Sequence, residues 1–232
     1  MSIAIMQPYI FPYIGYFNLI HSVDKFVFYD DVNFIKKGWI HRNKILSSDK
    51  ELKFTIPIRK MSQNKLINES FISEADDWRK KLLKQITYEY HNAPNFEEIF
   101  SLVEKIITKD KTSISELAAY SIIEICDFLN IKRIFLKSSD LDVSTALGRA
   151  ERLIAITKSE DCDTYHNSIG GQKLYSKGLF GEFNVNLKFV DPVIAEYKQF
   201  KDPFISRLSI IDILMFNTKE ETLELIGSYN LI

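Results

Sequence analysis

Apolar strand-like runs alternate with helical periodicity along these 232 residues, and the alternation predicts an α/β fold on a mainly parallel sheet. Two observations sharpen this. The first thirty residues spell strand, loop, helix, strand, the order of a parallel βαβ unit. Residues 76–130 read as consecutive helices, a helical insertion or lobe within one α/β domain spanning 1–232.

Ser2 to Met6 is an apolar run stopped by Gln7-Pro8, the pattern of a buried strand. Pro8 and Pro12 hold the next residues extended, because the residue before a proline is pushed out of the α region. From Tyr13 the apolar residues Ile14, Phe17, Ile20 and Val23 recur near a 3.6 period, a helix, and Lys25 to Tyr29 is a second strand closing on Asp30-Asp31. Residues 32–51 form an excursion with one short extended piece and a polar loop at 47–51, and 52–58 is a further strand. Asp76 is the expected N-cap of a helix at 77–91, Ala93-Pro94-Asn95 breaks the chain before a helix at 96–108, and Ser113 with Glu116 opens a helix to Leu129. Strands then follow at 133–136, 163–165 and 185–190, with helices at 145–158, partly at 171–180, and at 205–216 and 220–228. The topology expected is Rossmann-like or HUP-like.

Charge and composition exclude several classes. Thirty basic against 31 acidic residues give a net charge of −1, unlike a dedicated DNA binder. Cys126 and Cys162 supply neither a disulfide framework nor a zinc set, and read as buried residues in a reducing compartment. Met1 to Val23 carry no charged side chain, but Gln7, Pro8, Pro12, Asn18 and His21 interrupt the run and no basic region precedes it. No membrane span and a cytoplasmic location are therefore expected.

Four polar clusters follow predicted strands, where α/β proteins bind ligands. The first is Gln7 to Tyr16: free N–H groups at the helix start suit an anion, Gly15 permits close approach, and Tyr13 and Tyr16 are hydrogen-bond donors. Tyr13-Ile-Gly-Tyr16 is also placed like the His-x-Gly-His loop of nucleotidyltransferases, with tyrosines replacing both histidines; two core aromatics are the competing reading. The second runs from Asp30 to Lys44. Adjacent carboxylates on extended chain point to opposite sides, so at most one of Asp30 and Asp31 faces a given cleft, as a general base or as the partner of a ribose or sugar hydroxyl, and the other reads as a turn residue. Trp39, Arg42 and Asn43 combine an aromatic plane, a fork and an amide for substrate binding, whereas Lys36, Lys37 and Lys44 read as a solvated face. A Mg²⁺ ion on Asp30 and Asp31 has only weak support, and no other metal set is visible. The third cluster pairs a Gly170-Gly171 turn with Tyr175 and with His166 as an acid or base, against the plainer reading of an ordinary polar histidine. The fourth is Ser138-Ser139-Asp140, where Ser139 and Asp140 suit binding or helix capping; no Gly-x-Ser-x-Gly elbow accompanies them.

Several segments resemble, in order over essentially the whole chain, the WbqC-like proteins. These are Met6-Gln-Pro-Tyr9, Pro12-Tyr-Ile-Gly-Tyr-Phe17, Asp24-Lys-Phe-Val-Phe-Tyr-Asp-Asp31 and Lys37-Gly-Trp-Ile-His-Arg-Asn43, followed by Gln63-Asn-Lys-Leu-Ile67 and Ser138-Ser-Asp140. Gly170-Gly171 with Tyr175, Tyr197 with Gln199, and Leu208-Ser-Ile-Ile-Asp212 complete the set. His41 departs from the asparagine expected there. The resemblance implies a bacterial protein of surface-polysaccharide, or O-antigen, biosynthesis; it brings no catalytic set with it. The expected activity is transfer, by acyl or aminoacyl chemistry, to a nucleotide-linked or activated amino sugar. The alternatives are a nucleotidyltransferase or adenylate-forming ligase, and a non-catalytic binding protein of the assembly pathway. The expected partner is a small sugar or nucleotide, and self-association is left open.

Overall fold

The computed structural model describes residues 1–74 and 77–232. Five strands run parallel: β1 (Ser2–Met6), β2 (Lys25–Phe28), β5 (Ile134–Lys137), β6 (Thr164–Ser168) and β7 (Asn186–Pro192). A short β8 (Tyr229–Leu231) joins β7 antiparallel, with Pro192 opposite Tyr229, so the sheet reads β5-β2-β1-β6-β7-β8. This closing strand is not visible in the sequence. A separate hairpin, β3 (Arg42–Ser47) with β4 (Lys50–Thr55), fills much of the expected 32–51 excursion. The polar run at 47–51 is thus mostly strand: Ser48, at φ 55°, and Asp49 make a two-residue turn.

The alternation of side chains divides the core. Ala4, Phe26, Phe28 and Val190 face one side, where they meet α1 (Ile14–His21), α2 (Trp78–Tyr90), α3 (Phe96–Thr108), α4 (Ile114–Phe128), α7 (Ile210–Phe216) and α8 (Lys219–Gly227). Ile3, Ile5, Val27, Tyr165 and Leu187 face the other, under α5 (Arg149–Ser159) and α6 (Lys177–Glu182). Each fully buried Phe or Ile contributes about 2–3 kcal/mol. The helices of the 76–130 region are present as α2, α3 and α4, and α4 shares the apolar core of the sheet's first face before the chain enters β5. Ser113 caps α4 by accepting from the Glu116 N–H at 3.1 Å, as its spacing predicts. Asp76, expected as the cap of α2, lies outside the described residues.

Two helices begin later than periodicity suggests. The expected 145–158 helix starts at Arg149, after Gly148, and the expected 205–216 helix starts at Ile210, where the Ser209 hydroxyl accepts from the Ile211 N–H at 3.3 Å. Residues 193–209 form an irregular strap instead, pinned to the β1–α1 loop and the hairpin. The Ser209 N–H donates to the Lys44 carbonyl at 2.8 Å, the Ile210 N–H to that of Pro12 at 2.9 Å, and the Ser209 hydroxyl to that of Phe11 at 2.8 Å.

No helix among the described residues is long and apolar enough to cross a membrane. Both cysteines are buried and free.

Candidate functional site

The mouth of α1 carries a cavity of about 330 Å³, lined by Tyr9, Tyr13, Trp39, Asn43, Lys44 and Arg207. Three chain segments build it. The Gln7–Tyr13 loop supplies the two tyrosines, the start of β3 supplies Asn43 and Lys44 with Trp39 just ahead of it, and the 193–209 strap supplies Arg207.

Each wall is fixed by a specific residue. The ring of Tyr13 lies back over Gly15, so close that a Cβ there would collide with the phenol. This is the chemical need for glycine in the first turn of α1. Burial raises the Tyr13 pKa, an effect the Arg207 guanidinium partly opposes, and burial among the other tyrosines drives that of Tyr9 well above the phenol range. Both rings are neutral hydrogen-bonding surfaces at physiological pH. Asn43 is almost wholly buried and bolts the loop in place, its amide donating to the Ile10 carbonyl at 3.1 Å and the Phe11 carbonyl at 2.5 Å. Arg42 is likewise committed to backbone: it donates to the carbonyls of Gly38 (2.7 Å) and Lys37. Its guanidinium sits 5.7 Å from the centroid of the Trp39 ring. Arg42 thus shapes the Trp39 turn rather than presenting its fork to a ligand.

The cations that face the cavity are Lys44 and Arg207. Lys44, read from sequence as part of a solvated face, lies 5.3 Å from the Trp39 centroid and pairs with Glu51 at 2.7 Å. A half-exposed pair of this kind is worth only ~0–1 kcal/mol, so a bound anion readily competes for the ammonium. Arg207 takes part in none of the ion pairs among the described residues. Sequence reasoning missed it; the neighbouring Leu208-Ser-Ile-Ile-Asp212 signature was the available signal.

That signature is the device that holds the strap. Asp212 is fully buried and accepts hydrogen bonds from Tyr90 (2.7 Å), Tyr197 (2.5 Å) and Gln199 (2.8 Å). Gln199 brackets Ile205 as well, accepting from its N–H at 2.9 Å and donating to its carbonyl at 3.1 Å. Arg207 follows two residues later, at φ 58°.

The remaining sequence-derived residues lie elsewhere. Tyr16 is in the core, edge-on to Tyr9 and donating to the Gln7 carbonyl at 3.1 Å, so the Tyr-x-Gly-Tyr loop presents only Tyr13 to the cavity. Gln7 closes β1 through that carbonyl. Asp30 and Asp31 share the Ser138 hydroxyl but are otherwise held by different helices, Asp30 by Ser115 of α4 and Asp31 by Arg152 of α5. Asp30 is 2% exposed, and its oxygens accept from the Ser139 N–H and hydroxyl (both 3.1 Å) and from the Ser115 and Ser138 hydroxyls (both 3.3 Å). Asp31 is ion-paired with buried Arg152 of α5 and accepts from Ser138 at 2.5 Å. Carboxylates so occupied by serine donors and by Arg152 do not offer the open oxygen set that Mg²⁺ requires. No group of three or more metal-binding side chains occurs among the described residues.

His166 sits inside β6, opposite Ala4, because that strand runs to Ser168 rather than ending at 165. Its Nδ1 lies 3.0 Å from the Ser22 hydroxyl at the far end of α1, and burial lowers its pKa to about 4. The structure therefore separates it from Asp30 and Asp31. Asp140 is exposed after β5. Gly170 and Gly171 form a 3-10 turn after β6; Gly171 admits the Asn167 side chain and accepts, through its carbonyl, from the Tyr175 N–H at 3.0 Å.

Sheet, strap and hairpin together define a mixed α/β protein with a mostly parallel central sheet and an aromatic, cationic cavity at its first helix. The chain belongs to the WbqC-like protein family, whose model matches residues 7–224. It is 28% identical over 223 residues, 95% of either chain, to an uncharacterized protein of Mycobacterium tuberculosis, Rv1507c. No solved structure matches it.

Proposed function

We propose that the protein is a transferase of surface-polysaccharide biosynthesis that binds a nucleotide-linked or otherwise activated sugar in the cavity at the mouth of α1. One observation carries the reading: Trp39, Tyr9 and Tyr13 face the same space as Lys44 and Arg207. A sugar ring stacks its apolar C–H face on an aromatic plane, and its phosphates need cations beside that plane. About 330 Å³ lies at the low end of small-molecule sites, room for a sugar and its phosphates with the nucleoside extending past the exposed edge of Trp39. Membership of the WbqC-like family, with the O-antigen role that the resemblance implies, supports this reading. The strand order supports a Rossmann-like topology: numbered along the chain, the five parallel strands run 3-2-1-4-5.

The cavity orients and neutralises charge; none of its six lining side chains is a carboxylate or an imidazole. The proton of an attacking amine then leaves to solvent or to the leaving group. That same feature favours a second reading, a binding protein that delivers the sugar without changing it.

The test combines binding with turnover. Calorimetric titration with UDP-linked sugars should show saturable binding that Arg207→Ala weakens at least tenfold. Incubation with acyl-CoA or aminoacyl donors should then shift the mass of the sugar. Binding without a mass shift selects the second reading, pyrophosphate release from ATP or CTP selects nucleotidyl transfer, and failure of every nucleotide sugar to bind rejects the cavity's assignment.

A further inference from the structure

The sheet changes direction between β1 and β6. The chain leaves β1 for β2 on one side, and later crosses from β5 to β6 on the other. Loops leaving the carboxyl ends of these two strands therefore diverge to opposite faces and leave a crevice between them. The aromatic cavity occupies only one face: Tyr9 and Tyr13 pack against the core under α1, whereas Tyr29 and Tyr175 pack against the core under α5 and α6.

On that second face two arginines sit one turn apart on α5. Arg152 is 3% exposed; its guanidinium lies 5.0 Å from the centroid of the Tyr29 ring and pairs with Asp31, yet its buried Nε has no acceptor among the described residues. Arg149 is exposed and belongs to none of the ion pairs among the described residues. Its charge reaches both half-buried phenols, opposing the rise that burial imposes on the pKa of Tyr29 and of Tyr175. Beside them, nothing stands within 4 Å of the space a Cβ of Gly170 would fill. The first turn of α5 adds no attraction, because the Glu151 carboxylate folds back over Gly148. Recognition there falls to side chains: the Arg149 guanidinium, which no ion pair among the described residues engages, the unspent Nε of Arg152, and two phenol donors. That set is matched to a multiply charged oxyanion.

We propose that Arg149, together with Tyr29 and Tyr175, binds a phosphoryl group in the crevice beside the Gly170 turn, on the opposite face of the sheet from the aromatic cavity. Arg152 is the positioning residue: held by Asp31, it fixes Tyr29. The site stands on its own residues and does not depend on what fills the cavity.

Inorganic pyrophosphate is the probe, titrated calorimetrically into the full chain at low salt, with UDP and a sugar 1-phosphate as further arms to identify which phosphoryl compound binds most tightly. The wild type should take up two equivalents. Arg149→Ala should remove one of them, or weaken it at least tenfold, with an unchanged unfolding midpoint, and Tyr175→Phe should weaken the same equivalent several-fold. Arg207→Ala should leave that equivalent intact and remove the other. Loss of all binding in Arg207→Ala with a wild-type isotherm in Arg149→Ala overturns the crevice site and leaves the cavity reading standing. Loss in Arg149→Ala alone, with Arg207→Ala silent, supports the crevice site and rejects the cavity's phosphate role.

Discussion

Asp30 offers the sharpest separation of a structural carboxylate from a chemical one. By position it is the first carboxylate after β2 and an obvious general base; by contact it is a knot tying β2 to the turn after β5 and to the start of α4. Asp30→Asn keeps the shape but turns one acceptor oxygen into a donor. Two of the four donors aimed at that carboxylate, the Ser115 and Ser138 hydroxyls, are buried, and Ser138 retains Asp31 as an alternative acceptor. The Ser139 groups sit at an exposed residue, where water can replace the lost partner. A hydrogen bond to a charged group contributes about 1.5–3 kcal/mol, so the substitution should cost about 2–3 kcal/mol. At ~2–4 °C per kcal/mol for a chain of this size, the melting midpoint should fall by ~4–12 °C. Urea denaturation should show the same loss with an unchanged slope. If Asp30→Asn melts within ~1 °C of wild type yet abolishes sugar modification, Asp30 is a base and the knot is incidental.

Three further outcomes follow from the geometry. Gly15→Ala should displace the Tyr13 ring and weaken nucleotide-sugar binding several-fold, with a stability change under ~1 kcal/mol because alanine also favours the helix; unchanged binding would show that Tyr13 is not a wall of the site. His41 and His166 both have pKa values lowered to about 4 by burial, so between pH 6.5 and 4 the unfolded chain takes up protons that the folded chain refuses. Stability should therefore fall as pH drops through that window, and His166→Gln should flatten the profile; a flat wild-type curve would refute burial of the neutral rings. Burial pushes the Cys126 thiol up to about 12, so Ellman's reagent should leave it unmodified until urea unfolds the chain, and native-state labelling at Cys126 would contradict its place on the buried face of α4.

Sequence periodicity located the parallel strands and most helices because each buries an apolar face whose spacing is set by its own geometry. It failed where order comes from elsewhere. The β3–β4 hairpin hides behind polar residues since Lys50, Glu51 and Thr55 face solvent, and only Ser48-Asp49 marks the turn. The strap at 193–209 looks helical near its end, but side-chain bonds to Asp212 and Gln199 hold it irregular, and no local pattern encodes those. A strand that ends three residues later than expected moved His166 from beyond its end to its interior.

The site followed the same logic. Tyr13 was legible in the loop after the first strand and Trp39 and Asn43 in the cluster after the second, whereas Arg207 was not, being 164–194 residues away from them in sequence and brought there by the strap. Arg42 and Asn43 show why residue type alone misleads: a guanidinium and an amide are as well suited to closing a loop on its own carbonyls as to holding a ligand. The distinction lies in which donors are already spent. By that criterion Asn43 and Arg42 build the site, Lys44 and Arg207 remain to meet a ligand there, and Arg149 is left with the same capacity on the opposite face.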